Sequence, residues 1–278
     1  MVNWTSIQRQ RLYELGAVEE DVNLTFDSTD ERNKCYQEME HKLVDQAREK
    51  LTDFRENIKR PILCSLERKL DELLVGKGFS RVSTPVLLSR GLLAKMTVTE
   101  DHPLFKQVFW VDSRKCLRPM LAPNLYYILR DLLRIWSHPV SIFEIGSCFR
   151  KDTQGGSHMQ EFTMLNLVEM GLPEERCNER LVEMAGWVMN SVGINKYRLE
   201  SEESQVYGKT VDIISDEMEL GSGAIGPHVL DRQWDIHVPW VGIGFGLERL
   251  AMIKEGHGNI QRIGKSLSYL NGIRLNIS

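Results

Sequence analysis
No long apolar run occurs in this 278-residue chain. Its hydrophobic stretches are far too short to cross a bilayer, and the opening MVNWTSIQRQRLYELG has no apolar core leading to a small-residue cleavage site. No membrane partner is expected, and the expected location is cytoplasmic. Cysteine is scarce: Cys35, Cys64, Cys116, Cys148 and Cys177 are far apart, odd in number and form no CxxC pair. That argues against a disulfide framework or a zinc site and makes them expected reduced packing residues. A dominant charge is missing as well, because 35 Lys and Arg stand against 39 Asp and Glu for a net -4. Any contact with a polyanion must therefore come from local basic patches. No Ser-His-Asp order, HExxH or GxxxxGK[ST] is present, so hydrolase and P-loop readings have no support. Internal repeats and low-complexity segments are also lacking.

The length is enough for one large core with or without a smaller appendage. Residues 1–58 are polar, with no glycine after Gly16 and no proline, and are read as a small helical extension; residues 59–278 form the main domain. Pro61 opens a helix whose stripe is Leu63, Leu66, Leu70, Leu73 and Leu74, and Gly76 and Gly78 stop it. GFSRVSTPVLLS reads as a strand whose Pro85 excludes a fully paired central position, and PLFKQVFWVD reads as another strand. Asn124 to Trp136 has helical spacing after Pro123, and a further helix is expected over about 174–192, ended by Gly193. KYRLESEE, VYGKTVDII, EMELGSGAIGPH and DIHVPW read as strands before a final helix starting near Gly246. Long βα alternation is missing. The expected fold is α+β, a mainly antiparallel sheet flanked by helices.

Phe143 to Met170 reads as two apolar strands joined by a polar, glycine-containing turn. Alternation puts Phe162, Met164, Asn166 and Val168 on one face, and Arg150 and Asp152 close the first strand. An aromatic plate, a fork of donors and an amide thus share a surface; a core hairpin with a charged tip is the plainer reading. In Gly242-Ile243-Gly244-Phe245-Gly246, alternate glycines strip one strand face of side chains just before a helix carrying Arg249. Both phosphate binding at that helix start and close strand packing fit the pattern. Glu219 and Ser222 lie three apart, on opposite faces of a regular strand, but Gly221 and Gly223 permit a bulge that turns both oxygens to one side. Two hard oxygens suit magnesium held mostly by phosphate and water; an exposed acid beside a flexible bend is the alternative.

GFSRVSTPVLL, FRKD with HMQEFTML, and GIGFGLERL resemble motifs 1, 2 and 3 of the class II aminoacyl-tRNA synthetases, in that order. RPMLAPNLY, EFTMLNL, VYGKTVD and PWVGIGFGLERL narrow the resemblance to the pyrrolysyl-tRNA synthetase family, over essentially residues 60–278. The start resembles short forms that lack a separate N-terminal tRNA-binding domain. The resemblance implies an ATP-dependent ligase that uses Mg2+, joins pyrrolysine or an acylated lysine to an amber-suppressor tRNA(Pyl), and works as a homodimer through the motif 1 helix and Pro85.

Residue by residue, the resemblance implies that Arg150 binds the α-phosphate, Phe162 stacks on adenine, and Arg249 covers its other face near the γ-phosphate. His158 and Met159 match ATP contacts, Glu219 and Ser222 the magnesium-linked acid and hydroxyl, and Leu220 and Gly246 the lining of the nucleotide site. Leu121, Ala122, Leu125, Tyr126, Leu129, Val168, Ala224 and Trp240 match a deep apolar amino-acid pocket. Asn166 matches the amide that meets the substrate's side-chain carbonyl, and Tyr207 the hydroxyl of a capping hairpin. Asp152, counted among the ATP contacts, stands where many relatives carry glutamate, one methylene longer, and Val168 replaces a cysteine found in some. A synthetase for another large amino acid such as phenylalanine is countered by Asn166 with Tyr207. A non-catalytic synthetase-like binder is countered by Arg150, Phe162, Glu219, Ser222 and Arg249 occurring together. For tRNA backbone contact the candidates are the basic residues from Lys42 to Lys69.

Overall fold
The computed structural model describes residues 1–152, 156, 158–204 and 206–277. It divides into two compact units, Met1–Ile62 with Gln261–Ser278, and Leu63–Ile260. The sequence reading placed the boundary at 58 and the tail in the main domain; the contacts of the tail instead group it with the N-terminal segment.

The first unit is mainly helical, as its composition suggested. It begins with β1 (Val2–Asn3), α1 (Ser6–Leu15), α2 (Glu19–Val22), β2 (Thr25–Phe26) and the long α3 (Thr29–Asp53). Thr5 and Gln8 form a reciprocal cap on α1, and Gly16 ends it with φ 101°, a conformation that suits glycine. Ser28 caps α3 by accepting from Glu31 N–H. Trp4, Leu12, Ala17, Val22 and Phe26 make a small core. Arg11 ties this unit to its own tail by donating to the Asn276 carbonyl at 2.8 Å, and Arg274 pairs with Glu14 at 3.3 Å.

The second unit opens with α4 (Ile62–Gly76), whose Leu63, Leu66, Leu70 and Leu74 are buried. There follow β3 (Ser80–Arg81), β4 (Leu87–Ser89), α5 (Arg90–Ala94), α6 (Pro103–Gln107), β5 (Lys115–Leu117) and α7 (Ala122–Leu132). A hairpin comes next, β6 (Val140–Phe149) and β7 (Glu161–Met170), most of whose turn lies outside the described residues. Then come α8 (Cys177–Val192), β8 (Arg198–Ser204), β9 (Gly208–Ser215), β10 (Met218–Gly226), β11 (Trp240–Gly246) and α9 (Leu247–Glu255). The tail adds β12 (Tyr269–Leu270) and β13 (Ile273–Arg274) to the first unit.

Seven strands form one sheet in the order β3-β6-β7-β11-β10-β9-β8, with only β3 and β6 parallel. The expected antiparallel α+β arrangement is therefore what the chain adopts. Helix α8 packs on β10 and β11 through Leu181, Met184, Ala185, Val188 and Val192, a stripe at helical spacing. Gly193 ends it at φ 90°, the stop expected from the sequence.

Three segments depart from the sequence reading. PLFKQVFWVD is not a strand: Pro103 sits in the first turn of α6, where its missing N–H costs nothing, and His102 Nδ1 caps Leu104 N–H at 3.1 Å. The paired strand is β5 instead, against β4. GFSRVSTPVLLS is split into β3 and β4 with Pro85 outside both, because the intervening Thr84 turns to a side-chain partner. DIHVPW contributes only Trp240 to a strand; Asp235 takes φ 58° at the end of the preceding turn. The cysteines are all free, with Cys116, Cys148 and Cys177 buried, Cys35 half-buried and Cys64 exposed.

A buried ion pair holds the split segment. Arg118 (3% exposed) donates from Nη1 to Glu144 Oε1 (2% exposed) at 2.7 Å, and from Nε to the Ser147 carbonyl at 2.8 Å. Thr84 Oγ1 donates to Glu144 Oε2 at 2.7 Å and accepts from Arg118 and Asn124 at 2.9 and 3.0 Å. A Cβ on Gly146 would lie 2.2 Å from Arg118 Nη2, so only glycine leaves room for the guanidinium. Replacing Arg118 with methionine strands the Glu144 carboxylate and is expected to cost about 3–5 kcal/mol in urea-unfolding stability. A loss under about 1 kcal/mol would show that the pair does not anchor this region.

Candidate active site
Along β7 the side chains of Phe162, Met164, Asn166, Val168 and Met170 face a single cavity of about 330 Å³. Strand alternation puts them in one row, as expected. Beside them runs β11, in register Gly246 with Met164, Gly244 with Asn166 and Gly242 with Val168. A Cβ on Gly244 would meet Asn166 Oδ1 at 3.0 Å and Met164 Cε at 3.3 Å, and one on Gly242 would meet Val168 at 3.3 Å. The alternate glycines thus keep the neighbouring strand from filling the space. Beyond β11, Ser222 pairs with Gly244 and Ala224 with Gly242, so β10 supplies the far wall.

The bulge required to bring Glu219 and Ser222 together is present. The β9–β10 register shifts between Glu219 and Gly221, and both Glu219 and Ser222 line the cavity. Ser222 Oγ donates to Asp212 Oδ1 at 2.6 Å, a partner across the register that the sequence reading did not name.

Near Phe162 the cavity is lined by cations and polar groups. The Arg150 guanidinium lies 5.3 Å from the Phe162 ring centroid, with Nε donating to the Pro119 carbonyl at 2.9 Å. Arg249 donates to the Glu219 carbonyl at 2.8 Å, with the Glu219 carboxylate 3.8 Å away. Burial pulls Arg150 below the ordinary guanidinium range; nearby Arg249 adds to the effect, and Cys148, Glu219 and Asp152 oppose it. Arginine stays charged regardless, so two cations, each a fork of N–H donors for an anion, line the cavity beside Asp152, Glu219 and Glu248. His158 and Asp152 stand 3.6 Å apart on the same lining.

Toward Met170 the wall is apolar. Helix α7 contributes Ala122, Leu125, Tyr126 and Leu129, one face at i, i+3, i+4 and i+7, and Val206, Tyr207, Ala224 and Trp240 complete it. Burial pushes the Tyr126 phenol well up, helped by Tyr207 and Asp231, and also raises Tyr207. Gly226 makes room for Trp240, since a Cβ there would lie 1.8 Å from its Nε1. Between the two regions, Asn166 Oδ1 is buried with no hydrogen-bond partner among the described residues. A buried amide oxygen left unpaired is costly and marks a place for a ligand.

Of the residues picked out from the sequence, Arg150, Asp152, His158, Met159, Phe162, Glu219, Leu220, Ser222, Gly246 and Arg249 line this cavity, together with Asn166, Val168 and the apolar set. Leu121 is the exception: as the residue preceding α7 it is fully buried in the core and does not reach the cavity. Two residues were missed. Glu248, 1% exposed, accepts the Thr163 N–H at 2.8 and 2.9 Å with its two oxygens. Its signal was an acid in the first turn after a strand, where the helix dipole favours it. Asp231 lies behind the apolar wall, and nothing in its spacing announced burial.

The tRNA synthetases class II core domain (F) model matches residues 49–272. Curated relatives include the O-phosphoserine–tRNA(Cys) ligase of Methanocorpusculum labreanum, 21% identical over 80% of this chain and 45% of that protein. Another is the lysine–tRNA ligase of Sulfolobus acidocaldarius, 29% identical over 54% of this chain and 32% of that protein. The chain spans less than half the length of these relatives. Among solved structures, a pyrrolysyl-tRNA synthetase from Desulfitobacterium hafniense superposes with a TM-score of 0.94 at 51% identity, covering 99% of both chains. A second structure, PylSc of the same organism, gives 0.91 at 50%, covering 99% of this chain and 95% of that one. With the family model covering most of its length and this identity along the whole, the chain belongs to the class II aminoacyl-tRNA synthetases, in the pyrrolysyl-tRNA synthetase family.

Proposed function
We propose that the chain is an aminoacyl-tRNA ligase that activates pyrrolysine or a related acylated lysine with magnesium-ATP and transfers it to the terminal adenosine of tRNA(Pyl). The observation that carries this reading is one cavity in which a region bearing two guanidinium groups and an apolar region meet at Asn166, whose Oδ1 has no partner among the described residues. A long side chain with an amide along its length fits the apolar region, since its N–H is a donor for Asn166 Oδ1 and its carbonyl an acceptor for the Asn166 NH2, and a nucleoside triphosphate fits the other.

In the first step an oxygen of the amino-acid carboxylate attacks the α-phosphorus as the bond to pyrophosphate breaks. Arg150 would stabilise the charge that gathers on the α-phosphate, and Arg249 the triphosphate tail. No protein nucleophile is needed, because both groups are held in place beforehand. Phe162 would carry the adenine, and His158, Met159, Asp152, Leu220 and Gly246, which line the same cavity, would surround the nucleotide. In the second step the hydroxyl of the terminal adenosine attacks the acyl carbonyl and AMP leaves.

Glu219 and Ser222 are the residues that would hold magnesium. No cluster of three or more His, Cys, Asp or Glu ligands occurs among the described residues, and Glu219 and Ser222, on either side of the bulge, both line the cavity. That donor set fits an ion held chiefly by phosphate and water. When bound, magnesium would neutralise charge on the phosphates.

Pairing of two copies through α4 and the Pro85 segment belongs to the same proposal, as does a cytoplasmic location. Among the described residues no helix is long and apolar enough to cross a membrane. Lys42, Arg48, Lys50, Arg55, Lys59, Arg60, Arg68 and Lys69 are all exposed and would contact the tRNA backbone.

Charging of tRNA(Pyl) with pyrrolysine or a carbamate-acylated lysine, with phenylalanine and lysine as controls, tests the whole. Selective charging is expected; charging by phenylalanine, or tRNA binding without any charging, would overturn the assignment. Arg150→Ala is expected to lower ATP–pyrophosphate exchange by about 10²–10³-fold with the thermal unfolding transition retained. Near-normal exchange would remove Arg150 from the reaction. Asn166→Ala is expected to flatten selectivity between acylated and alkylated lysines by about tenfold, and unchanged selectivity would take Asn166 off the substrate. Reversing several charges between Lys42 and Lys69 should weaken tRNA binding in a salt-dependent manner and leave amino-acid activation alone. Unaltered binding would exclude that surface.

A further inference from the structure
Ser222 belongs to a row of directly opposed residues that crosses the sheet: Asn166 on β7, Gly244 on β11, Ser222 on β10, Asp212 on β9 and Glu200 on β8. Directly opposed side chains share a face. Thr210, two residues before Asp212 on the same strand, lines the cavity, which places Asp212 on the cavity face as well. Ser222 lines the cavity, and Asp212, which does not, meets it from the next strand.

The contact between them is a hydrogen bond in which Ser222 Oγ donates to Asp212 Oδ1 at 2.6 Å, the short separation of a hydroxyl that meets a carboxylate. Two acids opposed across β8 and β9 repel, and Arg198 offsets this by donating to Glu200, while it also holds Glu217 at 3.0 and 3.1 Å. A hydroxyl carries one proton and two lone pairs, whereas a carboxylate only accepts. The Ser222 proton is therefore committed to Asp212. What remains on the oxygen is lone pairs, which a cation takes and a bare phosphate oxygen refuses.

We propose that Asp212 is a positioning residue for the nucleotide site: by taking the Ser222 proton it presents Ser222 Oγ as an acceptor only, so that this wall favours a cation-bound triphosphate over a metal-free one. The inference rests on the reading above, in which Glu219 and Ser222 hold magnesium. It separates from that reading because it concerns how far the metal's effect depends on Asp212, where the reading concerns whether there is an effect.

ATP binding followed by calorimetry, without amino acid so that nothing turns over, gives the affinity in saturating Mg2+ and the affinity in EDTA. Their ratio is the gain that the metal confers, and the native enzyme is expected to show one. In Asp212→Asn the side chain donates as well as accepts, so the Ser222 proton is free to turn to the cavity. There it meets a phosphate oxygen but opposes a cation. The gain is expected to fall by about tenfold, with no loss of affinity in EDTA. Ser222→Ala is expected to lower the gain by itself. In that background Asp212→Asn should lower it no further, since no hydroxyl remains to be oriented.

An Asp212→Asn variant that keeps the native gain overturns the proposal and leaves the magnesium reading intact. So does an equal loss of affinity with and without metal, which is what a merely structural role would give. A fall that persists undiminished in the Ser222→Ala background also overturns it, because Asp212 then acts by its charge and not through the hydroxyl. Should Asp212→Asn lack the native melting transition, Asp212→Thr, a residue suited to strands, takes its place with the same expectations. Failure of the native enzyme to gain any affinity from Mg2+ overturns the magnesium reading and the inference together.

Discussion
From Trp240 to Gly246 every residue of β11 pairs with β7, and on the face that carries Asn166 the partners of Val168, Asn166 and Met164 are glycines. Backbone pairing is complete there while the space above it stays open. An ordinary strand in that position would bury its side chains against the row from Phe162 to Met170 and close the cavity. The alternate glycines satisfy the ladder without supplying a wall, and the wall comes from one strand further, where Ser222 and Ala224 stand. Where β11 ends, the chain turns at once into α9. Glu248 takes the Thr163 N–H, next along β7 after the last paired residue, so the carboxylate continues the ladder that the strand has left. Arg249, one residue on, is thereby held over the cavity.

Buried carboxylates recur around the cavity, each met by its own donors. Glu144 has Arg118 and Thr84, Glu248 has the Thr163 backbone, and Asp231 has Tyr126, Trp240 and the His228 backbone. Each joins elements distant in sequence, and each leaves little freedom once its oxygens are occupied. The arrangement suits a reaction carried by position and charge. On the proposed reading, in which Arg150 meets the α-phosphate, the guanidinium gains from a frame that does not reorganise as charge develops. Arg150 is fixed to that frame through the Pro119 carbonyl, one residue beyond Arg118.

Much of this was legible because it obeys short-range rules. Strand alternation alone placed Phe162, Met164, Asn166 and Val168 together, and the glycines flanking Ser222 announced the bulge that the register confirms. The stripe of α4 and the stop of α8 followed from spacing and from Gly193. What the sequence did not disclose depends on partners far along the chain. PLFKQVFWVD alternates well enough to read as a strand, but Pro103 and the His102 cap turn its first half into a helical turn. Leu121 was matched to the pocket by position, yet it is the residue just before α7 and turns into the core. Asp231 reads as an ordinary surface acid in LDRQWD; its burial depends on Tyr126, 105 residues earlier.

The cavity divides its selectivity between two kinds of contact that do not substitute for one another. Leu125, Leu129, Val168 and Ala224 offer area, and in such a wall one methylene more or less discriminates weakly. A polar group left without its partner discriminates far more strongly, because its desolvation is not offset. Asn166 is a candidate for such a group, midway along the row and with no partner for Oδ1 among the described residues. Its strand neighbours offer this oxygen no donor side chain: Gly244 on β11 has none, and the Glu144 carboxylate, directly opposite on β6, only accepts and is itself met by Arg118 and Thr84. With no donor side chain directly opposite on either strand, the partner this oxygen calls for is an N–H or O–H of what enters the cavity. The glycine that opens the space and the acid that offers no proton thus leave the same oxygen to the cavity from two sides.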